Sequence, residues 1–540
     1  MAKFNTRDKR HGSRGFIQSE QEPTGVTYEG APGYARDTKS ELFQLAVTNF
    51  SGEDTFYEDA QSRDSRFVDL VHKAAVEDPE WTVQLISWLR HDAYIRTASI
   101  VAAAEFVRAR HVAGIDRQVE QAPGEWGYNR RAIRAALSRG DEPGEMLAYW
   151  TSEYGRPYPR ALLRGIAHAT KKLYHEYSFH KWDSNEAAWR FGDVIDLTKP
   201  KPRADGSHQS SLFKYAIDKR HNRPGEIPED LVVSKARHAL MSLPVEQRRQ
   251  AFNDDPEILE HVGITWEALS GWLQGPMDKG AWEAIIPNMG YMALLRNLRN
   301  FDQAGVSLDV KHRVAQILSC PDNVMSSRQF PFRFLSAYKN APNDFWGPVL
   351  DEALQYSLSN IPDLPGKSLI LIDTSGSMDG TISAKSSMTR AEVAAVFGIA
   401  LASKGEDVQV YGFANHAFHH PLVKGANVLR EIKRFTDRIG EAGHGTDFAT
   451  AVRQTYSPSF NRVFLISDMQ TMDTSFYGQV PWHEMIDPKS YVYAFNLAGY
   501  KHVAGPISKR MFEFGGLTDA TFKSIPLLET SGHAKWPWLQ

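Results

Sequence analysis

The stretch that most constrains the fold is Ser368-Leu-Ile-Leu-Ile-Asp373-Thr-Ser375-Gly-Ser377-Met378. A short apolar run closed by a polar turn is the pattern of a buried strand. One carboxylate and two hydroxyls follow at positions i, i+2 and i+4, and a tight loop after the strand brings such side chains to one point. Hard oxygen donors of this kind suit one divalent metal ion, Mg²⁺ or Mn²⁺, which takes octahedral oxygen coordination and keeps waters. Gly376 lets the backbone turn close to such an ion. Ligands of an open parallel sheet sit beyond the carboxyl ends of its strands, where Asp373 falls.

The surroundings of this run support an α/β layer. Apolar strands are expected at 368–373, 407–413, 462–467 and 490–494, alternating with helices at 390–403, 428–439, 448–456 and 518–528. That order implies a parallel sheet with helices on both faces. Ile361-Pro-Asp-Leu-Pro-Gly-Lys367 reads as a linker and a domain boundary. Its Gly-Lys-Ser end mimics a phosphate-binding loop, but Ile361 stands where that motif needs its first glycine.

Before the linker the periodicity is helical. Apolar residues recur at helical spacing over 65–76, 81–91, 95–112, 130–137, 145–154, 160–177, 209–219, 229–242, 245–252, 282–286, 291–301 and 306–318. Gly and Pro punctuate the pattern between these segments. Many medium helices with short breaks predict an all-α array of helix pairs, although no crisp repeat is visible.

A chain of 540 residues exceeds one core, so two or more domains are expected. The single cysteine, Cys320, excludes an internal disulfide framework and a thiolate zinc site and fits a reducing, cytoplasmic setting. No apolar run reaches membrane-spanning length, and residues 1–20 lack a signal-peptide core. Residues 1–24 read as a flexible basic arm. Charge is uneven further on. Residues 151–223 hold 14 Lys and Arg against 8 Asp and Glu, a net of +6, which leaves −9 for the rest of a chain whose net is −3. Local basicity in an otherwise acidic chain points to a polyanion-binding face. Arg160 and Arg164 share a helix face at i, i+4. Lys171, Lys172 and His175 are expected to continue that helix, with His180, Lys181 and Arg190 beyond it. Tyr174, Tyr177, Phe179 and Trp182 are interleaved; core packing is the commoner role of any one of them, and stacking on unpaired bases the alternative.

Catalytic signatures are missing. His175-Glu176 followed by His180 misses the HExxH spacing, since Phe179 stands where the second histidine belongs. His416, His419 and His420 have no evident fourth ligand and read as surface histidines. Asp373-Thr-Ser lacks the second aspartate of a phosphatase-type loop.

Asp-x-Ser-x-Ser after an apolar strand resembles the metal-ion-dependent adhesion site of von Willebrand factor A domains. The resemblance implies a threonine from a second loop and an aspartate after a later strand. Thr446 in Gly443-His-Gly-Thr-Asp447 and Asp468 after Ser467 take those places, giving the set Asp373, Ser375, Ser377, Thr446 and Asp468. Such a site, rich in hydroxyls and with an open position, captures a partner's carboxylate rather than activating water.

The helical part resembles the TROVE module of the Ro autoantigen family. Asp92-Ala-Tyr-Ile-Arg96-Thr, Arg160-Ala-Leu-Leu-Arg164, Tyr291-Met-Ala-Leu-Leu-Arg296-Asn297-Leu298 and Arg328-Gln-Phe-Pro331-Phe332 carry the likeness. With the von Willebrand A unit after it, the chain is similar to bacterial-type Ro proteins. The expected layout is a basic arm at 1–24, a HEAT-like helical ring at 25–362 and a doubly wound α/β von Willebrand A domain at 363–540. The family implies a non-catalytic monomer that binds small structured Y-like RNA on a basic outer face and single-stranded ends of misfolded RNA through the ring, in RNA quality control and decay. It also implies tethering of polynucleotide phosphorylase through the RNA. Animal relatives carry a histidine linked with Y RNA binding near 189–202, where Phe191 stands here. Arg296 and Asn297 are expected at a helix junction, with a buried hydrogen-bonding role as good a reading as RNA contact. One rival is a metal-dependent adhesion or assembly scaffold without RNA. A metal-dependent RNase is another, and the lack of a general base beside the motif speaks against it.

Overall fold

The computed structural model describes residues 15–48, 55, 57–115, 127–204, 208–223, 225–255, 257–341, 343–359, 361–382, 386, 388–423, 427–472, 480–516, 522, 525–526, 528–529 and 535–539. After a short hairpin at 25–33, helices dominate up to residue 357, and the strands of the large sheet begin at 364.

The helical part is an array in which helices pack on near neighbours in the chain. Ala60–Glu77 lies on Arg96–Val112, Pro79–His91 on Tyr128–Ala136, and Tyr128–Ala136 on Arg160–Leu173. Apolar positions three and four apart face the shared core, as Leu162, Ile166, Ala169 and Leu173 do. The segment expected as one helix over 160–177 is two. Tyr174 takes an extended conformation (φ −88°, ψ 112°) and His175 opens a new helix, Glu176–Trp182. Helices Phe191–Thr198, Trp266–Leu273, Pro321–Ser327, Phe332–Asn340 and Trp346–Ser357 were not foreseen.

The second unit is a six-stranded sheet. Its strands are β3 (Leu364–Asp373), β4 (Gly405–Phe413), β5 (Ala417–His420), β6 (Arg462–Ser467), β7 (Tyr491–Asn496) and β8 (Met511–Gly515), after the short β1 (Gly25–Val26) and β2 (Pro32–Gly33). The order is β5-β4-β3-β6-β7-β8. All pairings are parallel except β4 with β5. The sheet is therefore mixed rather than wholly parallel, because three residues join β4 to β5 and a connection so short permits only an antiparallel return. β3 starts inside the expected linker. Along β3, Ile370 and Ile372 enter the core shared with Arg390–Ser403, and Leu369 and Leu371 enter the core on the opposite face with Phe448–Thr455. Most of the helix expected at 518–528 lies outside the described residues.

The array begins and ends on the sheet unit, which closes it into a ring. At its start, Thr38–Thr48 rests on β8, and the approach is so close that a side chain on Gly515 would meet Val47 at 2.6 Å. At its end, Phe332–Asn340 packs on Arg390–Ser403, and Asp351 accepts a hydrogen bond from the Leu429 N–H at 3.1 Å. Trp536 and Trp538 stack 5.5 Å apart and lie against Phe16, Phe43 and Trp81. Of the arm expected at 1–24, residues 1–14 fall outside the described residues. Residues 15–24 are docked rather than flexible, with Phe16 and Ile17 buried and Ser19 accepting from the Ile507 N–H.

Candidate metal and nucleic-acid sites

The strand order reverses between β3 and β6: β3 continues to β4 on one side, and the chain returns to place β6 on the other. A crevice at the carboxyl ends of these two strands is the expected ligand position. β3 ends at Asp373, and Asp468 follows β6. Asp373, Ser375, Ser377, Thr446 and Asp468 are all buried. Three loops come together there. The Gly376 N–H donates to the His444 carbonyl at 2.8 Å, and the Met472 N–H to the Thr446 carbonyl at 2.9 Å, which ties the Asp373, Thr446 and Asp468 loops.

Within the site, the Ser375 N–H donates to Asp373 Oδ1 at 2.8 Å, and the Ser375 and Ser377 hydroxyls lie 3.2 Å apart. Ser467 donates to Asp373 Oδ2 at 2.6 Å. Both aspartates have their pKa pushed upward. Burial is the main cause for each, and for Asp468 the second is the charge of Asp373. Asp468 Oδ2 is buried with no hydrogen-bond partner. Two buried carboxylates, one with an orphaned oxygen, among hydroxyls form a donor set that fits a divalent cation: the ion would offset their repulsion and complete the orphaned oxygen. Among the described residues no three His, Cys, Asp or Glu side chains gather tightly enough to hold a metal. Such an ion would thus depend on serine and threonine hydroxyls and on water.

Several neighbours of this site escaped the sequence reading. Ser467 orients Asp373, and Arg390 lends Asp468 positive charge. Tyr57 and Tyr500 both feel the charge of Asp468. No motif marks these residues, since each reaches the site from a separate element. His416 and His419 are exposed, but His420 is buried beside Glu431 at 3.4 Å, which corrects the surface reading for that residue.

The basic segment divides into two kinds of residue. Arg160, Arg164 and Lys172 are exposed on Arg160–Leu173, and Lys171 is half-buried. Seven residues, two turns, separate Arg164 from Lys171, so Arg160, Arg164 and Lys171 share one face. Beside them, His168 Nδ1 lies 3.3 Å from an Arg130 nitrogen. The His168 pKa is lowered first by burial and then by the charges of Arg130, Arg134, Lys171 and Lys172. A cationic face therefore spans two packed helices. Arg130 and Arg134 were missed because they precede the segment whose charge stood out.

His180 and Arg190 serve the fold instead. Arg190 is held by Asp183 at 2.6 Å with both side chains largely buried. His180 Nε2 lies 2.8 Å from the Ser234 hydroxyl, which gives its own proton to Glu176, so His180 donates from Nε2. Burial, then Arg237 and Lys219, push its pKa down to about 3. His175 is exposed, but it caps a helix and accepts the Ser178 N–H. Lys181 is exposed and lies 4.9 Å from the Trp182 ring. Tyr174 is buried and stacks on Phe191 at 3.7 Å, and Phe179 is buried beside them, whereas Tyr177 is exposed.

A second cationic surface lies near the end of the array. Arg296, Arg299 and Arg333 line a cavity of about 500 Å³ that also touches Ser386 of the sheet unit. Burial and the nearby Arg296 lower the Arg333 pKa, as expected of a guanidinium short of anions. Asn297 is buried and donates to the Ala293 carbonyl at 2.8 Å, a structural role, while Arg296 is exposed.

Comparison with known proteins bears on this architecture. The TROVE domain family model matches residues 265–354, which include Arg296, Arg299 and Arg333. Telomerase protein component 1 of Rattus norvegicus is 46% identical over 59 residues, 11% of this chain and 2% of that protein. The Mus musculus protein of the same name matches equally over the same share. The chain thus spans about 2% of the length of these curated relatives. The crystal structure of the Ro (Rsr) protein of Deinococcus radiodurans superposes with a TM-score of 0.58 at 16% identity, over 90% of this chain and 99% of that one. This likeness carries the fold, a helical-repeat array followed by a von Willebrand factor A-type sheet domain. The chain thus carries a stretch similar to the TROVE domain at residues 265–354 and has the fold of a Ro protein.

Proposed function

We propose that this protein is a non-catalytic RNA-binding scaffold acting in RNA quality control. The observation that carries the reading is the cationic face of Tyr128–Ala136 and Arg160–Leu173, where His168 is surrounded by four like charges. Phosphate groups are anions that such a face would attract, and their binding would be salt-dependent. A small structured Y-like RNA is the proposed ligand of this outer face. The cavity lined by Arg296, Arg299 and Arg333 is the proposed place for a single-stranded end. The bound RNA would in turn recruit an exonuclease such as polynucleotide phosphorylase. A monomer in the cytoplasm suits this role. Among the described residues no helix is long and apolar enough to cross a membrane.

Asp373, Ser375, Ser377, Thr446 and Asp468 would hold one Mg²⁺ or Mn²⁺. When bound, the ion supplies a Lewis-acidic position for an oxygen ligand. The chain's own part is to keep two carboxylates dry, with Asp373 oriented by the Ser375 N–H and the Ser467 hydroxyl and Asp468 by the Gln470 N–H at 3.2 Å. The orphaned Asp468 oxygen also favours the second reading, a metal-dependent protein-capture scaffold. Purification from native cells without nuclease, followed by RNA sequencing, tests the first reading. One abundant small RNA, lost with Arg160→Glu/Arg164→Glu, is the expected result. No enriched RNA in either preparation would leave the protein-capture reading.

A further inference from the structure

The β1–β2 hairpin is fastened to the rim of the metal site. Thr27 donates its hydroxyl to the Thr471 carbonyl at 2.9 Å. The Tyr28 N–H donates to the Gln470 side chain at 2.8 Å. Gly30 bridges Met472 in antiparallel fashion. All three anchors fall on the loop that follows Asp468. Glu29 stands between the second and third of them. Its carboxylate accepts a hydrogen bond from the Tyr57 hydroxyl, and Tyr57 in turn reaches the Ser377 hydroxyl. Tyr28 stacks on Tyr57 at 5.1 Å, and both meet Tyr500 edge-on, so three aromatic rings surround this carboxylate's approach.

We propose that the hairpin makes Glu29 an internal acid for the metal site, held where a partner's carboxylate would dock, so that a bound cation fastens the N-terminal segment and an acidic partner must displace it. The inference rests on the metal reading above. Tyr57 stands between Glu29 and Ser377, and the three acids do not yet form a tight cluster; drawing the third carboxylate toward the two buried ones is unfavourable without a cation and favourable with one. Val26 and Tyr28 are exposed, so the hairpin's docking depends on a few hydrogen bonds, the contacts of Tyr28 with Tyr57 and Tyr500, the close approach of Gly25 and Gly33 to His502, and this acid. A structural role for Glu29 as the acceptor of Tyr57 alone would make its attachment indifferent to metal.

The test uses the full chain and Mn²⁺ as probe, read by electron paramagnetic resonance, with hydrogen exchange of residues 25–34 followed in parallel. In the wild type, Mn²⁺ is expected to bind and to slow exchange in the hairpin. Glu29→Gln should weaken Mn²⁺ by about tenfold or more, within the range for residues that support metal ligands. It should also abolish the metal-linked protection, and Glu29→Asp should restore part of both. Acetate added at saturating Mn²⁺ should bind the Glu29→Gln protein more tightly than the wild type. Unchanged Mn²⁺ affinity and unchanged hairpin protection in Glu29→Gln would overturn the proposal and leave the metal site standing. Absence of Mn²⁺ binding in the wild type would overturn both.

Discussion

Arg36 and Glu513 stand 477 residues apart and form a fully buried ion pair, with Arg36 Nε donating to Glu513 Oε2 at 2.7 Å. Asn496 donates to the other Glu513 oxygen at 2.8 Å. The pair joins the N-terminal segment to β8 at the seam where the ring closes. Removing one member leaves the other charge buried and unpaired, which costs about 3–5 kcal/mol. Arg36→Met is expected to lower the urea-unfolding free energy by that amount. A loss below 1 kcal/mol would mean that Glu513 is satisfied some other way.

Metal should stabilise the fold in a manner that depends on Asp468. A ligand at a hundredfold excess over its Kd adds about 2.7 kcal/mol. Mg²⁺ or Mn²⁺ is expected to raise the Tm of the wild type and to leave Asp468→Asn unmoved. Without metal the variant should be no less stable than the wild type, because one of two buried like charges has gone. Calorimetry with EDTA and with Mn²⁺ separates the two effects.

Phosphate binding and fold support should separate by mutation. Lys171→Glu/Lys172→Glu is expected to weaken binding of the co-purified RNA and to flatten the dependence of log K on log salt by about 1 for each lost contact. His180→Gln should leave both unchanged. Filter binding at several salt concentrations reads the slope. An equal loss in the His180 variant would place that histidine in the RNA site after all.

His180 also gives a pH dependence. Its folded pKa is about 3, below the ordinary histidine value of about 6.5. The unfolded chain therefore takes up this proton first. The stability from a neutral His180 is fully present above pH 6.5 and is lost as pH falls from there toward 3. Relative to His180→Gln, the wild type should lose unfolding free energy over that window, measured by urea titration at pH 7 and pH 5. Parallel curves would refute the assignment.

The loop of Asp373, Ser375 and Ser377 was legible because its signal is local, whereas Thr446 and Asp468 came from the resemblance alone. An apolar run, a carboxylate at its end and hydroxyls two and four residues on need no partner elsewhere to be recognised. The division of the basic segment was not legible, because charge counting cannot see Asp183 beside Arg190 or Ser234 beside His180. Arg130 and Arg134 join the cationic face from another helix, so only packing reveals them. The break at Tyr174 was hidden by a continuous helical pattern, and the stack on Phe191 offers a reason for it. The N-terminal hairpin reads as polar coil. It is fixed by backbone bonds and a few hydroxyls, which leave no periodicity in the sequence.

The seam between Thr38–Thr48 and β8 has a consequence in time. During synthesis the whole helical array, through Ser357, is made before β8 exists. At translation rates of 5–20 residues per second, the remaining sheet domain needs on the order of ten seconds to emerge. Over that interval the apolar residues Leu42, Phe43 and Leu45 of the first helix await part of their cover. The nascent chain is thus an open arc with one unfinished edge, and this is the period in which chaperones or a second nascent copy would find it.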